Sequence, residues 1–186
     1  MNSPDATLKI LTLGRFSIFA EGKPVAKEWP NETLKELFCS LLSPLDLYFS
    51  WDRICRSMWG VPATRTSRRL LEESLIRPLN RFLIKELGFN PLIFGYEGIQ
   101  IDHKRIHIDA VEFHSAVVEG IRLLSLDDRP AALDNLNRAD SLYAGNYLPG
   151  MQGKIIENAR NDLRSLYRTA VIKSVTKVRN KRSLQH

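Results

Sequence analysis

The sequence predicts an α+β protein in two parts, a first part mixing short strands with helices and a second part that is all helical. Three observations carry that prediction. Short runs of alternating apolar and polar residues stand at both ends of residues 1–108. Between them lies a pair of helices with apolar residues on one side and arginines on the other. After Asp109 the apolar period turns helical and stays so.

Residues 1–7 are polar and are expected to fray. Leu8, Ile10 and Leu11, then Phe16, Ile18 and Phe19, read as two short strands linked at Leu13 and Gly14. Glu21, Gly22 and Lys23 supply turn chemistry before a short strand at Pro24 and Val25. The chain thus opens with a small antiparallel sheet. Asn31 caps the first helix, whose buried face is Leu34, Leu37, Phe38, Leu41 and Leu42, and Ser43 and Pro44 end it.

Ser50 caps a second helix. Asp52 sits in its first turn, where a carboxylate suits the positive end of the helix dipole. Ile54, Met58 and Trp59 form its apolar face, and Gly60, Val61 and Pro62 stop it. Thr64 or Thr66 can cap the long third helix, in which Leu71, Leu75, Leu79, Phe82 and Leu83 recur at helical spacing before Gly88 closes it. Leu92, Ile93 and Phe94 then form a strand, residues 95–98 a tight turn, and Ile99 and Ile101 the return strand. Ile106 and Ile108 alternate with His107 and suggest one more strand. Sheet, three helices and terminal hairpin is the order of a winged helix, with the hairpin as wing.

The helical part begins with Val111, Phe113, Val117, Val118, Ile121 and Leu124. Asp127, Asp128 and Pro130 punctuate. Ala131, Leu133, Leu136, Ala139, Leu142 and Tyr143 make a second helix, and a glycine-rich loop over 144–153 follows. Ile155 or Ile156, Ala159, Leu163, Leu166, Tyr167, Ala170 and Val171 make a long third one. Small residues such as Ala132 and Ala139 permit close helix crossing, as in tetratricopeptide-like stacking, although no strict repeat period is visible. The domains are read as 1–108, a winged helix of DNA-binding type, and 109–186, a helical unit.

The outer face of the long third helix carries Thr66, Arg69, Glu73, Arg77 and Asn80, with Arg65, Arg68 and Arg81 on its flanks. Two helices joined by a short turn, the second presenting arginines, is how a helix-turn-helix shows itself in sequence. A solvated charged face on an ordinary helical domain is the other reading of the same residues.

Composition fits a soluble globular protein, with 44% hydrophobic and 26% charged residues in a chain of 186. No apolar run is long enough to cross a bilayer, and no signal peptide is visible. Cys39 and Cys55 fall inside apolar helical patterns, so buried thiols in a reducing cytoplasm are expected rather than a disulfide. The formal net charge of +6 favours polyanionic partners without setting a sequence preference. From Lys154 on, Arg160, Arg164, Arg168, Lys173, Lys177, Arg179, Lys181 and Arg182 face only Glu157 and Asp162. Arg160, Arg164 and Arg168 stand at four-residue spacing, as a solvated helix face or as a contact with an acidic partner or a further domain.

No phosphate-cradling glycine loop and no nucleophile motif is present, so no catalytic residues are assigned and an enzyme is not expected. His103 and His107 would share one side of a strand, with His114 close by. No cysteine or carboxylate completes a ligand set, so neither metal nor cofactor is expected. Asp127 and Asp128 read as helix capping.

Four segments resemble one family in order along nearly the whole chain. LKILTLGRFSIFAEGKPV (residues 8–25) resembles the opening of the DNA-binding half of SARP regulators, bacterial proteins related to antibiotic regulatory proteins. FSWDRICRSMW (49–59) fits that family's second helix. IDAVEF (108–113) is similar to the junction into its bacterial transcriptional activator domain, and SLYAGNYLPG (141–150) to a helix end and loop within that domain. The resemblance implies an OmpR-type winged helix followed by an all-helical activator domain. It implies a third helix in the major groove of double-stranded DNA, a wing at the adjacent backbone or minor groove, and a helical part that meets a protein partner or a second copy. Thr66, Arg69, Glu73, Arg77, Asn80 and Arg81 are then the groove-facing candidates, with Arg65 beside them and Ser50 and Trp51 near phosphates. Activator domains of this family usually continue further, so a truncated domain or a piece of a larger regulator is expected.

The sequence departs from that pattern in three places. Pro78 lies inside the long helix, where it predicts a kink or break costing roughly 3 kcal/mol if unrelieved. Glu72 and Glu73 lie on the expected reading face. Glu97 occupies the wing turn, where the family often has arginine. These departures motivate an alternative, a winged helix without DNA contact in an interaction or oligomerisation module.

Overall fold

The computed structural model describes residues 8–172. Residues 1–7 and the basic residues Lys173, Lys177, Arg179, Lys181 and Arg182 lie outside them.

The first sheet is built from β1 (Leu8–Leu11), β2 (Ser17–Ala20) and β3 (Lys23–Val25), antiparallel as expected. Leu8 and Ile10 point inward and Lys9 outward, the period of two that the sequence shows. A fourth strand completes it. β7 (Ile106–Ile108) returns after the whole winged-helix segment and pairs parallel to β1, with Leu8 beside Ile106 and Ile10 beside Ile108. The opening sheet is therefore mixed rather than purely antiparallel. The partner strand lies a hundred residues away, beyond the reach of local pattern.

Helix α1 (Glu32–Leu41) is capped by Asn31, whose side chain accepts from the Leu34 amide at 2.9 Å. Its buried face carries Leu34, Leu37, Phe38 and Leu41, and Trp29 packs between Phe38 and Phe82. α2 (Trp51–Trp59) starts at Ser50 and ends at Gly60, whose φ of +72° suits glycine at the C-terminal cap. Before α2, β4 (Phe49–Ser50) pairs with the wing and makes it three-stranded, in the order β4, β6 (Gly98–Ile101), β5 (Leu92–Phe94). Two residues of strand leave no periodic signal, so β4 is not legible in the sequence.

The long helix is continuous despite Pro78. α3 (Arg65–Leu71) passes through a π-helical turn at Glu72–Ile76 into α4 (Arg77–Leu87). Within that turn the Arg77 amide donates to the carbonyl of Glu72. The wider turn sets Pro78 in the first turn of α4, where its missing N–H and its ring are tolerated. The predicted break becomes one extra residue in the helical path. Leu71, Leu75, Leu79 and Leu83 still face the core, and Ile76 joins them.

α5 (Asp109–Ser125) and α6 (Arg129–Leu142) form an antiparallel hairpin, with Asp128 capping α6. Ala132 and Ala139 are fully buried, and the close approach extends to Gly120, where a Cβ would stand 2.8 Å from Leu136 Cγ. Gly120→Ala is expected to destabilise the protein by roughly 1–3 kcal/mol, because a buried leucine must move to admit the methyl group. Urea denaturation checks it. α7 (Lys154–Leu166) continues through a π-helical stretch, Tyr167–Ile172, with Tyr167 stacked on Tyr143 at 4.0 Å between centroids.

The helical part is docked on the first sheet through polar bonds. Parallel pairing of β7 with β1 sets the residue after one strand beside the residues after the other. Asp109, 8% exposed, therefore accepts from the Thr12 amide at 2.7 Å, the Thr12 hydroxyl at 2.6 Å, the Leu13 amide at 3.0 Å and the Ala110 amide at 2.8 Å. The loop after α6 adds bonds from Gly14 N to Asn146 O and from Leu148 N to Thr12 O, and it buries Tyr147 completely. Arg160 closes that loop. Its guanidinium donates to the carbonyls of Tyr147, Leu148 and Met151 at 2.7–2.8 Å. Arg160 is thus a loop clamp and not part of a solvated stripe, whereas Arg164 is exposed and donates to Asn161.

Candidate nucleic-acid interface

Three elements form one face, namely the start of α2, the helix from α3 through α4, and the wing. Asp52 joins the first two. One of its carboxylate oxygens accepts from the Ala63 amide at 2.9 Å and the other from Arg56 Nε at 2.7 Å. The bond from Arg56 is the main reason the Asp52 carboxyl lies below its ordinary range. Thr64 and not Thr66 caps α3, in a reciprocal box with Ser67. That frees Thr66, which is exposed.

Trp51 joins the wing to α2. Its amide donates to Glu97 O at 2.9 Å and its indole Nε1 to Tyr96 O at 3.1 Å. The family resemblance implies Trp51 beside phosphates. Its ring is in fact 5% exposed and its first-turn amide is already bonded, so it anchors the wing instead. Ser50 caps α2, its Oγ accepting from the Arg53 amide at 3.2 Å, and it borders the candidate face. Arg68 lies over the Trp51 ring, 4.9 Å from its centroid, and pairs with Glu72 at 2.9 Å. Sequence placed Arg68 only on the flank. Its spacing from Glu72 signals their pairing, but nothing local signals the tryptophan.

The outward face of the helix carries Arg65, Thr66, Arg69, Glu73, Arg77 and Arg81, all exposed. Arg69 pairs with Glu73 at 3.0 Å, its side chain 79% exposed. Among the described residues, Arg65, Arg77 and Arg81 have no carboxylate within ion-pair distance. Asn80 is not on this face. The π-helical turn rotates it into the cleft between α4 and the wing, beside Trp51, Ile76 and Phe94, with its Oδ1 buried. The wing turn closes through Gly95 N and Gly98 O at 2.8 Å and exposes Glu97 and Tyr96, the latter at 89%.

The remaining candidates resolve simply. His103 lies in the turn between β6 and β7, so it shares no strand side with His107, whose Nδ1 is 3.8 Å from Glu112. Among the described residues, no three His, Cys, Asp or Glu side chains come together as metal ligands. Cys39 and Cys55 are buried free thiols, and burial pushes Cys39 up to about 12. No helix among the described residues is long and apolar enough to cross a membrane.

A mixed sheet, three helices with a three-stranded wing, and a docked helical part make up an α+β fold, a winged helix followed by a helical domain. Among solved structures the chain is similar to Mycobacterium tuberculosis EmbR, determined in complex with a low affinity phosphopeptide. The TM-score is 0.61 at 16% sequence identity, over 90% of this chain and 43% of the EmbR chain. The chain therefore spans less than half the length of that protein, and the likeness is one of fold. No family model and no curated protein matches the sequence.

Proposed function

We propose that residues 1–108 bind double-stranded DNA in the major groove through the helix over 65–87, and that residues 109–186 make protein contacts. One observation carries this reading. Arg65, Thr66, Arg69, Arg77 and Arg81 form an exposed row along an unbroken helix beside the wing, and three of those arginines have no carboxylate partner. Arginine grips guanine through two hydrogen bonds, and Glu73 can both orient Arg69 and accept from a cytosine amine. Ser50, at the start of α2, borders the same face and lies where a phosphate would pass. The likeness of fold to EmbR and the resemblance of four segments to SARP regulators support a role in regulation. A cytoplasmic protein without catalytic activity or cofactor fits the same reading.

Arg69→Ala and Arg77→Ala test it by fluorescence anisotropy on promoter fragments. Each is expected to weaken specific binding by about tenfold to a hundredfold at fixed salt. Unchanged affinity in both would mean that this helix does not read DNA.

A second reading rests on the pairs Arg68–Glu72 and Arg69–Glu73 and on Glu97 in the wing turn. These carboxylates offset positive charge where phosphates would pass, which suits a winged helix serving in protein interaction alone. Sequence-specific retention on DNA near physiological salt excludes it.

A further inference from the structure

The first sheet and the helical part do not close completely against each other. On the outer side of β1 they leave a cleft of about 450 Å³, within the range of small-molecule sites. One wall is the sheet. Lys9 points outward from β1 beside its register partner His107 on β7, and both are exposed. The other wall is helical, from Glu112 in the first turn of α5 to Leu142 and Ala144 where α6 ends. Leu11 and Leu142, both half-buried, supply apolar surface. The walls are tied together, so the cleft is preformed. Asp109 bonds α5 to Thr12 and Leu13, and Gly14 passes so close to the loop after α6 that a Cβ would stand 2.8 Å from the Ala144 carbonyl oxygen.

The charges that line the cleft do not balance within the protein. Asp109 is saturated by its four donors. Glu112 has cationic neighbours on both oxygens, His107 Nδ1 at 3.8 Å and the Arg138 guanidinium at 3.7 Å. Lys9 and Arg15 also line the cleft, and neither is matched. Among the described residues, no carboxylate lies within ion-pair distance of either. Two cations thus stand without counter-charge beside an apolar surface, while a cationic ligand would find no unmatched carboxylate. An organic anion suits both features, its charged group meeting Lys9 and Arg15 and its apolar body covering the leucines.

We propose that this cleft binds a small organic anion, a compact apolar body with one carboxylate or phosphate group, held by Lys9 and Arg15 and seated on Leu11 and Leu142. Strand β1 belongs to the first part of the chain, α5 and α6 to the second, so a ligand touching both stabilises their docking by mass action. The inference goes beyond DNA recognition. No residue of the arginine face lines the cleft, so failure of Arg69→Ala to weaken DNA binding leaves it standing.

Isothermal titration calorimetry of the full chain with 1-naphthoate and with 1-naphthyl phosphate tests it, and the pair separates a carboxylate site from a phosphate site. At least one is expected to bind with a Kd of about 1 mM or tighter. Naphthalene-1-methanol has a similar shape and no charge, and is expected to bind about tenfold more weakly or worse. Lys9→Ala and Arg15→Ala are each expected to weaken anion binding by about tenfold, whereas Lys85→Ala, exposed on α4, leaves it unchanged. Lys9 and Arg15 are exposed, so a thermal melt coinciding with that of the unchanged chain verifies folding. The anion raises the melting temperature of the unchanged chain and not that of the combined K9A and R15A variant. Binding of neither anion overturns the proposal. So does an affinity indifferent to both Lys9→Ala and Arg15→Ala, or equal affinity for the neutral alcohol, which would mean adsorption to apolar surface alone.

Discussion

Replacing Asp109 by alanine is expected to lower stability by about 3–5 kcal/mol, because it removes a buried carboxylate and strands its donors. Thr12 is fully buried, and its amide and hydroxyl both donate to one oxygen of Asp109, while the Leu13 amide donates to the other. The melting temperature is expected to fall by roughly 6–20 °C for a chain of this size. Asp109→Asn is expected to lose less, since it keeps one acceptor and turns an amide N–H₂ toward the remaining donors. Thermal and urea denaturation of the two variants check the order. A loss under about 1 kcal/mol in Asp109→Ala would mean that the seam is held by apolar packing alone.

The second large effect is expected at Gly98. Its backbone passes so close to β4 that a Cβ would overlap the carbonyl oxygen of Phe49 and lie 2.8 Å from Ser50 Cα. Backbone cannot swing aside as a side chain can, so Gly98→Ala must separate β4 from β6. The cost is about 3 kcal/mol, at the upper end for overpacking. The wing then loses its fixed relation to Trp51, whose bonds to Tyr96 and Glu97 depend on that pairing. On the proposed function, DNA affinity falls more in Gly98→Ala than stability alone explains, at temperatures where the variant remains folded. Gly95→Ala serves as the control. Its Cβ would meet only ordinary contacts at 3.6–3.8 Å, and it is expected to leave both stability and binding nearly unchanged.

Much of this was legible in the chain. Alternation at Leu8–Leu11, the caps at Asn31, Ser50 and Asp128, and the helical stripe through Leu71, Leu75, Leu79 and Leu83 are local signals, and local structure follows them. What escaped is long-range or too short to be periodic. β7 closes onto β1 across nearly the whole first part, and β4 has two residues. Arg160 sits at solvent-like spacing yet turns inward, because three loop carbonyls need donors. In the candidate interface, the outward placing of Thr66, Arg69, Glu73 and Arg77 is legible from spacing, whereas Arg65 and Arg81, which spacing sets on the flanks, are exposed beside them. The places of Asn80 and Trp51 are not legible, since an added residue in a π-helical turn and a bond to a distant wing are invisible to a helical wheel.

Binding to genomic DNA fragments across a salt series tests the central claim most directly. The proposed function predicts selective retention of particular fragments near physiological salt. It also predicts a steep fall of affinity with salt, whose slope Arg77→Ala reduces by about one. Weak binding that fades equally for every fragment as salt rises would contradict it, leaving only the attraction of a basic chain for a polyanion.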